Sequence, residues 1–233
     1  MSKSFRVSLR LLLAAGILLA SMPPALAQQD AEEEFPFNYL GLAAGLHDVD
    51  AWPAQISLGN GVNFQGGVTL EEDLAFGLQI GREYENSRYE LEYQRGGFAV
   101  ATISLGSLSE DVDGDTGHYE ALTLNALRLH DFTERFTGYA GLGIGMGRAL
   151  LPAQGFRGGC QCFPEAEESG FVWQARVGLE YRIGERARLG MHYSRLFNIP
   201  GPLWEDALPA IVYDERDVDV LALIFRWQFQ RSD

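Results

Sequence analysis

Three short stretches carry residue types that do chemistry. His192-Tyr193-Ser194 sets an imidazole and a hydroxyl two residues apart. In a strand such residues share a face, so the ring stands beside the hydroxyl as a base beside a nucleophile. A nearby acid, Asp219 or else Glu205 or Asp206, would orient the ring. Cys160-Gln161-Cys162 lies in a glycine-rich segment, residues 158–164. In an oxidising compartment the default is a disulfide between Cys160 and Cys162; a reduced pair could take a soft ion such as Cu(I) but is too small for structural zinc. Residues 111–117 place Asp111, Asp113 and Asp115 in the alternation of a calcium loop. Thr116 stands where that loop needs glycine, and the bidentate glutamate is missing, so the site is a weak calcium candidate against a plain solvated turn. No metal centre and no cofactor are expected.

Stepping outward from these residues, the chain start states a compartment. Lys3, Arg6 and Arg10 precede an apolar run, residues 11–20, and Ala25-Leu26-Ala27 closes a small-x-small cleavage site. That is the layout of a secretory signal over residues 1–27, with a run too short for a spanning helix. Gln28, not a lipid-accepting cysteine, would begin the mature protein. A short acidic leader, residues 28–36, then precedes one domain, residues 37–233. Losing the three leader cations takes the formal net charge from −14 to −17. A chain this acidic is a poor partner for nucleic acid. The mature sequence has no apolar run long enough for a transmembrane helix, so it would cross a membrane only as a closed barrel.

The elements that must hold the candidate residues alternate with a period of two. In residues 171–182, Phe171, Trp173, Ala175, Val177, Leu179 and Tyr181 share one face, and Gln174, Arg176, Gly178, Glu180 and Arg182 the other. Seven more strands are expected over 38–47, 74–83, 88–98, 119–130, 136–148, 187–197 and 217–229. Short turns (84–87, 131–134, 183–186) alternate with long loops (48–73, 99–118, 149–169, 198–216). That asymmetry belongs to an all-β, eight-stranded antiparallel up-and-down transmembrane β-barrel, its turns in the periplasm and its loops outside. The long loops are crowded with acids and would stay extended in solvent or recruit cations.

Periodicity alone leaves open which face is wet, and a soluble ligand-binding barrel would turn the apolar face inward. The polar phase of 138–147 contains Gly141, Gly143, Gly145 and Gly147, which make room inside a narrow barrel for long side chains from other strands. Opposite charges recur on the same phase: Arg88, Glu90, Glu92, Arg176, Glu180, Arg182, Arg188 and Arg226. They would pair across a lumen too narrow to conduct freely. Leu221, Leu223, Phe225, Trp227 and Phe229 share the other phase, as an interfacial aromatic girdle does.

The run GYAGLGIGMG at 138–147, and residues 171–182 leading into 187–196, resemble strands five to seven of the small OmpA-like and opacity-protein-like outer-membrane barrels. The resemblance spans the mature chain and implies a barrel, not a chemistry. Family members end on an aromatic residue, whereas Gln230-Arg231-Ser232-Asp233 follows Phe229 here. His192-Tyr193-Ser194 also resembles the His-x-Ser motif of lipid A deacylases, although Arg195 replaces the asparagine that follows. Strand phase puts His192 and Ser194 with the inner set, away from an acyl chain in lipid, so a polar interior pair is the expectation. The function expected is a non-enzymatic structural or surface-interaction role in the outer membrane. A deacylase, a small pore and a soluble binding barrel remain as alternatives. Expected partners are outer-membrane lipid and lipopolysaccharide, the barrel assembly machinery during biogenesis and an unidentified surface partner; the protein is expected to be a monomer.

Overall fold

The computed structural model describes residues 37–49, 51–112, 116–157, 160–205 and 208–229, with the backbone alone for Glu72 and for 160–162. The expected signal peptide and acidic leader fall outside the described residues, as do Asp113, Asp115, Asp206 and the last four residues. The described residues form fourteen strands, in chain order: β1 (Tyr39–Asp48), β2 (Trp52–Ser57), β3 (Asn63–Glu83), β4 (Ser87–Leu105), β5 (Leu108–Asp111), β6 (Thr116–Asp131), β7 (Phe136–Leu151), β8 (Gln154–Phe156), β9 (Cys160–Phe163), β10 (Ala166–Arg182), β11 (Ala187–Ile199), β12 (Leu203–Trp204), β13 (Ala210–Tyr213) and β14 (Arg216–Gln228).

Eight of these, β1, β3, β4, β6, β7, β10, β11 and β14, form the wall. Each pairs antiparallel with its neighbours, and β1 pairs with both β3 and β14, which closes the barrel. All eight expected strands are present. Closure satisfies every ladder within the wall, the condition for backbone in lipid. The three short connections are tight because local side chains and backbone close them. The Tyr84 N–H donates to Ser87 O at 2.8 Å, and the Ile183 N–H to Ala187 O at 2.9 Å. At the third turn Thr133 Oγ1 accepts from the Phe136 N–H at 3.1 Å.

The outer face is apolar. Leu42, Phe76, Leu124, Ile144, Val177 and Leu223 are between 52% and 63% exposed, on six different wall strands. Tyr84, Tyr89, Tyr181 and Trp227 stand exposed at the short-turn end of this band. At the other end Trp173 stacks on Phe197, ring centroids 3.7 Å apart. Apolar surface on that scale, edged by aromatic rings, is a lipid-facing belt and not a soluble surface. The alternative of a soluble barrel with its apolar phase inside is thereby overturned.

The long connections differ from the expectation of extended solvent loops. β3 and β4 run for 21 and 19 residues, well beyond the 9 to 11 or so that cross a bilayer. They continue past the belt, and β2, β13 and β12 add to β3 while β5 adds to β4. β8 and β9 form a separate hairpin. The register between β3 and β4 slips at Glu72/Ala75, and such a bulge lets a strand change course where the wall becomes an extension. Buried side chains explain why the extension is ordered: Trp52, Ile56, Val68, Phe98, Ile103, Ile211 and Tyr213 belong to one apolar cluster. The Trp52 indole N–H donates to Asp214 O at 2.6 Å, tying the first long connection to the fourth. Burial pushes the Tyr213 phenol above its ordinary range, so it stays neutral.

Candidate functional site

The barrel interior carries the chemistry-bearing side chains, and it is layered. Along β4 the inward residues read Arg88, Glu90, Glu92, Gln94, Gly96, Phe98 and Val100, from charged to apolar. On β10, Glu180, Arg176, Gln174 and Val172 repeat that order; on β11, Arg188, His192, Ser194 and Leu196 do the same. The expected charge network therefore occupies one end of the interior. At the other end the side chains of Val172, Leu196 and Phe98 join one apolar cluster with those of β2 and β13, and a charge among them would lack a partner.

At the short-turn end four arginines meet four glutamates. The Arg88 Nε–H and Nη2–H donate to Glu83 Oε2 at 3.0 and 2.6 Å, while Nη1 and Nη2 donate to Glu180 at 2.9 and 2.8 Å. Arg188 donates to both oxygens of Glu83, at 2.7 and 3.1 Å. Arg226 pairs with Glu180 and donates to Gln79 Oε1 at 3.1 Å. One level higher, Arg176 pairs with Glu90 and Glu92. Tyr39 donates its hydroxyl to Glu90 at 2.6 Å, and the Gln79 amide donates to Glu92 at 2.7 Å. The Arg88 and Arg226 guanidinium groups each lie over the rings of Tyr39 and Tyr139, between 5.1 and 5.5 Å from the centroids.

Every cation in residues 28–233 is an arginine. The planar fork suits this cluster, because one guanidinium clamps two carboxylates at once. Of the eight residues expected in the network, Arg88, Glu90, Glu92, Arg176, Glu180, Arg188 and Arg226 are brought together. Arg182 is not: it is exposed at the short-turn rim, since the wall ends there and nothing covers it. Glu83 is the member that sequence reasoning missed. It ends β3 in phase with Gly81 and Gln79, which is the signal that would have found it.

The glycines provide room as expected, though for neighbours more than for charges. A side chain at Gly143 would collide with the Asn125 amide. Gly178 lies against the ring of Tyr139 and Gly96 against that of Tyr119, each directly across a strand pair. Aromatic cover of cross-strand glycine packs the interior where a Cβ does not fit.

His192 and Ser194 are buried, 2% and 0% exposed, in the middle layer. Asp219 lies on the outside of the wall, where it accepts from the Tyr193 hydroxyl and sits 3.5 Å from Arg195. The wall thus separates Asp219 from His192 and Ser194, and these three residues assemble no triad. Glu205 is exposed in the connection after β12. Asp111, on β5, accepts from Thr102 Oγ1 at 3.2 Å. Its companions Asp113 and Asp115 lie outside the described residues. Cys160 and Cys162 are on the β9 backbone, and their side chains are likewise outside the description.

Just beyond the lipid-facing belt the outer face becomes ionic. Arg95 and Glu120 pair at 3.0 Å, Arg148 and Glu120 at 2.7 Å, and Arg148 and Glu167 at 3.0 Å, across β4, β6, β7 and β10. This ladder marks the level at which the wall leaves hydrocarbon.

Comparison with known proteins agrees with this architecture. The outer membrane protein beta-barrel domain family matches residues 12–220. Among solved structures, the outer membrane protein OprG from Pseudomonas aeruginosa superposes with a TM-score of 0.58 at 16% identity, over 82% of this chain and 96% of that one. Neisserial surface protein A (NspA) superposes with a TM-score of 0.50 at 14% identity, over 82% and 97%. At these identities the likeness is one of fold alone. Among curated proteins none matches the sequence.

Proposed function

From the premise that this chain belongs to the outer membrane protein beta-barrel domain family, we propose that it is a closed, non-conducting barrel that holds an acidic β-structured extension at the cell surface for interaction with other molecules. The short turns then face the periplasm. The observation that carries this reading is the filled interior. The guanidinium–carboxylate layer at one end is continuous with buried polar and then apolar side chains up to Trp52, Phe98 and Ile211. A filled lumen leaves the ordered extension, rather than a channel, as the part available to work. Its acids, among them Asp48, Glu71, Asp73, Glu110, Asp111, Asp214 and Glu215, suit a cationic partner surface. The role is non-enzymatic in this reading, because His192 and Ser194 lie inside the wall and Asp219 outside it.

The test is electrical. Purified, refolded protein in a planar bilayer is expected to give no discrete conductance steps, even at voltages where porins conduct. Reproducible unitary steps would refute a closed barrel. An epitope placed in the turn at Gly59-Asn60-Gly61, which carries positive φ at all three residues, is expected to be stained on intact cells.

A further inference from the structure

We propose that the short-turn mouth of the barrel is a binding site for an oxyanion, a phosphate or carboxylate group. The mouth opens into a cleft of about 450 Å³ lined by Arg135, Arg182, Ile183, Gly184, Glu185, Arg188 and Gln228. Three of these residues are cationic and one is anionic, and because Arg188 is paired with Glu83 and Glu180 the surplus is that of Arg135 and Arg182 over Glu185. Oxyanion recognition by guanidinium needs that surplus, and needs the groups to converge.

The register makes them converge. Arg182 on β10 is directly opposite Arg188 on β11, and Arg188 is directly opposite Arg226 on β14. Like charges directly opposite across strand pairs oppose folding unless something of the other sign sits among them. For Arg188 and Arg226 that something is Glu83 and Glu180. Among the described residues no ion pair engages Arg182 or Arg135. Arg135 is held toward the wall by its hydrogen bond to the Tyr181 hydroxyl, at 3.4 Å. Its backbone is tied to the next turn, since Arg135 O accepts from the Arg182 N–H at 2.8 Å.

Arg188 forms the floor. It is more than nine-tenths buried, and its Nε–H has no hydrogen-bond partner while both terminal nitrogens are taken by Glu83. An oxyanion in the cleft accepts from the Arg182 fork and from the Arg135 N–H groups not used by Tyr181, above the ion-paired Arg188 guanidinium. Glu185 also lines the cleft and repels an anion, so the Arg182 and Arg135 guanidinium groups act against one carboxylate. Under the orientation proposed above, this site faces the periplasm. A phosphorylated solute or a carboxylate-bearing cell-wall fragment presents the same chemistry there.

The experiment uses the folded, arginine-15N-labelled protein in zwitterionic detergent, at constant ionic strength set with sodium chloride. Inorganic pyrophosphate and malonate are titrated in separate arms and the arginine Nε–H resonances followed, which distinguishes a phosphate site from a carboxylate site. Saturable shifts with at least one probe are expected. Arg182→Gln is expected to weaken binding by at least about tenfold, the scale of one charge-assisted hydrogen bond. Arg128→Gln removes an exposed charge on β6 that does not line the cleft, and is expected to leave binding unchanged. Unboiled gel mobility checks that each variant is folded. No saturable shift with either probe would overturn the site. So would equal weakening in the two variants, or unaltered binding in Arg182→Gln.

Discussion

Arg88 is the residue on which the interior turns. Its side chain is fully buried, touches Glu83 and Glu180, and lies over two tyrosine rings. Breaking a buried ion pair from one side leaves the partner charge stranded, which costs on the order of 3–5 kcal/mol. Arg88→Met is therefore expected to lower the unfolding free energy of the barrel by an amount of that order, seen as a lower urea midpoint of the folded band on an unboiled gel. Arg88→Lys keeps the charge but cannot clamp two carboxylates, so it is expected to fall between the two. Residue chemistry of this kind was partly legible in advance. Seven of the network members stood out as alternating charges, because phase is a property of one strand. Glu83 was signalled only by its phase with Gly81 and Gln79; the exposure of Arg182 was not legible, since it depends on where the wall stops and the turn begins.

At the scale of elements, the wall and the extension obey one alternation but bury it against different things. Outward Leu, Phe and Ile meet lipid in the wall; in the extension, inward Trp52, Ile56 and Ile211 meet one another. β2 alternates as plainly as any wall strand, yet the many acids around it suggested an open loop. Trp52→Ala removes a large side chain that is 1% exposed, packs edge-on against Phe98 at 5.9 Å and donates to Asp214 O. A loss of roughly 3–5 kcal/mol from the extension is expected. Limited proteolysis of the folded protein is expected to cut within 48–73 or 198–216 much faster than in the parent, while the gel mobility of the barrel is retained. Loss of the barrel band together with the extension would show that the two fold as one unit.

At the scale of the whole molecule, closure is the dominant fact. The β1–β14 ladder, from Tyr39↔Gln228 to Asp48↔Asp219, joins residues 171 to 189 positions apart, and no edge remains in the wall. A structure in which every wall strand has two partners resists detergent until heated. The protein is accordingly expected to migrate differently on a gel before and after boiling in detergent. Identical migration would contradict a stable closed barrel. What the sequence determined by itself is the set of wall strands, their short and long connections and the sense of their two faces. The strands and connections follow from a period of two and from turn residues, and the sense of the faces from the glycines and opposite charges gathered on one phase; all of these are local. The tertiary structure alone decided that the interior grades from ion pairs to an apolar core and that the acidic connections fold over it. It also decided that His192 and Ser194 are sealed away from Asp219, and that three arginines fall in one row at the mouth. Each of these depends on register between strands distant in the chain, which alternation within a strand does not encode.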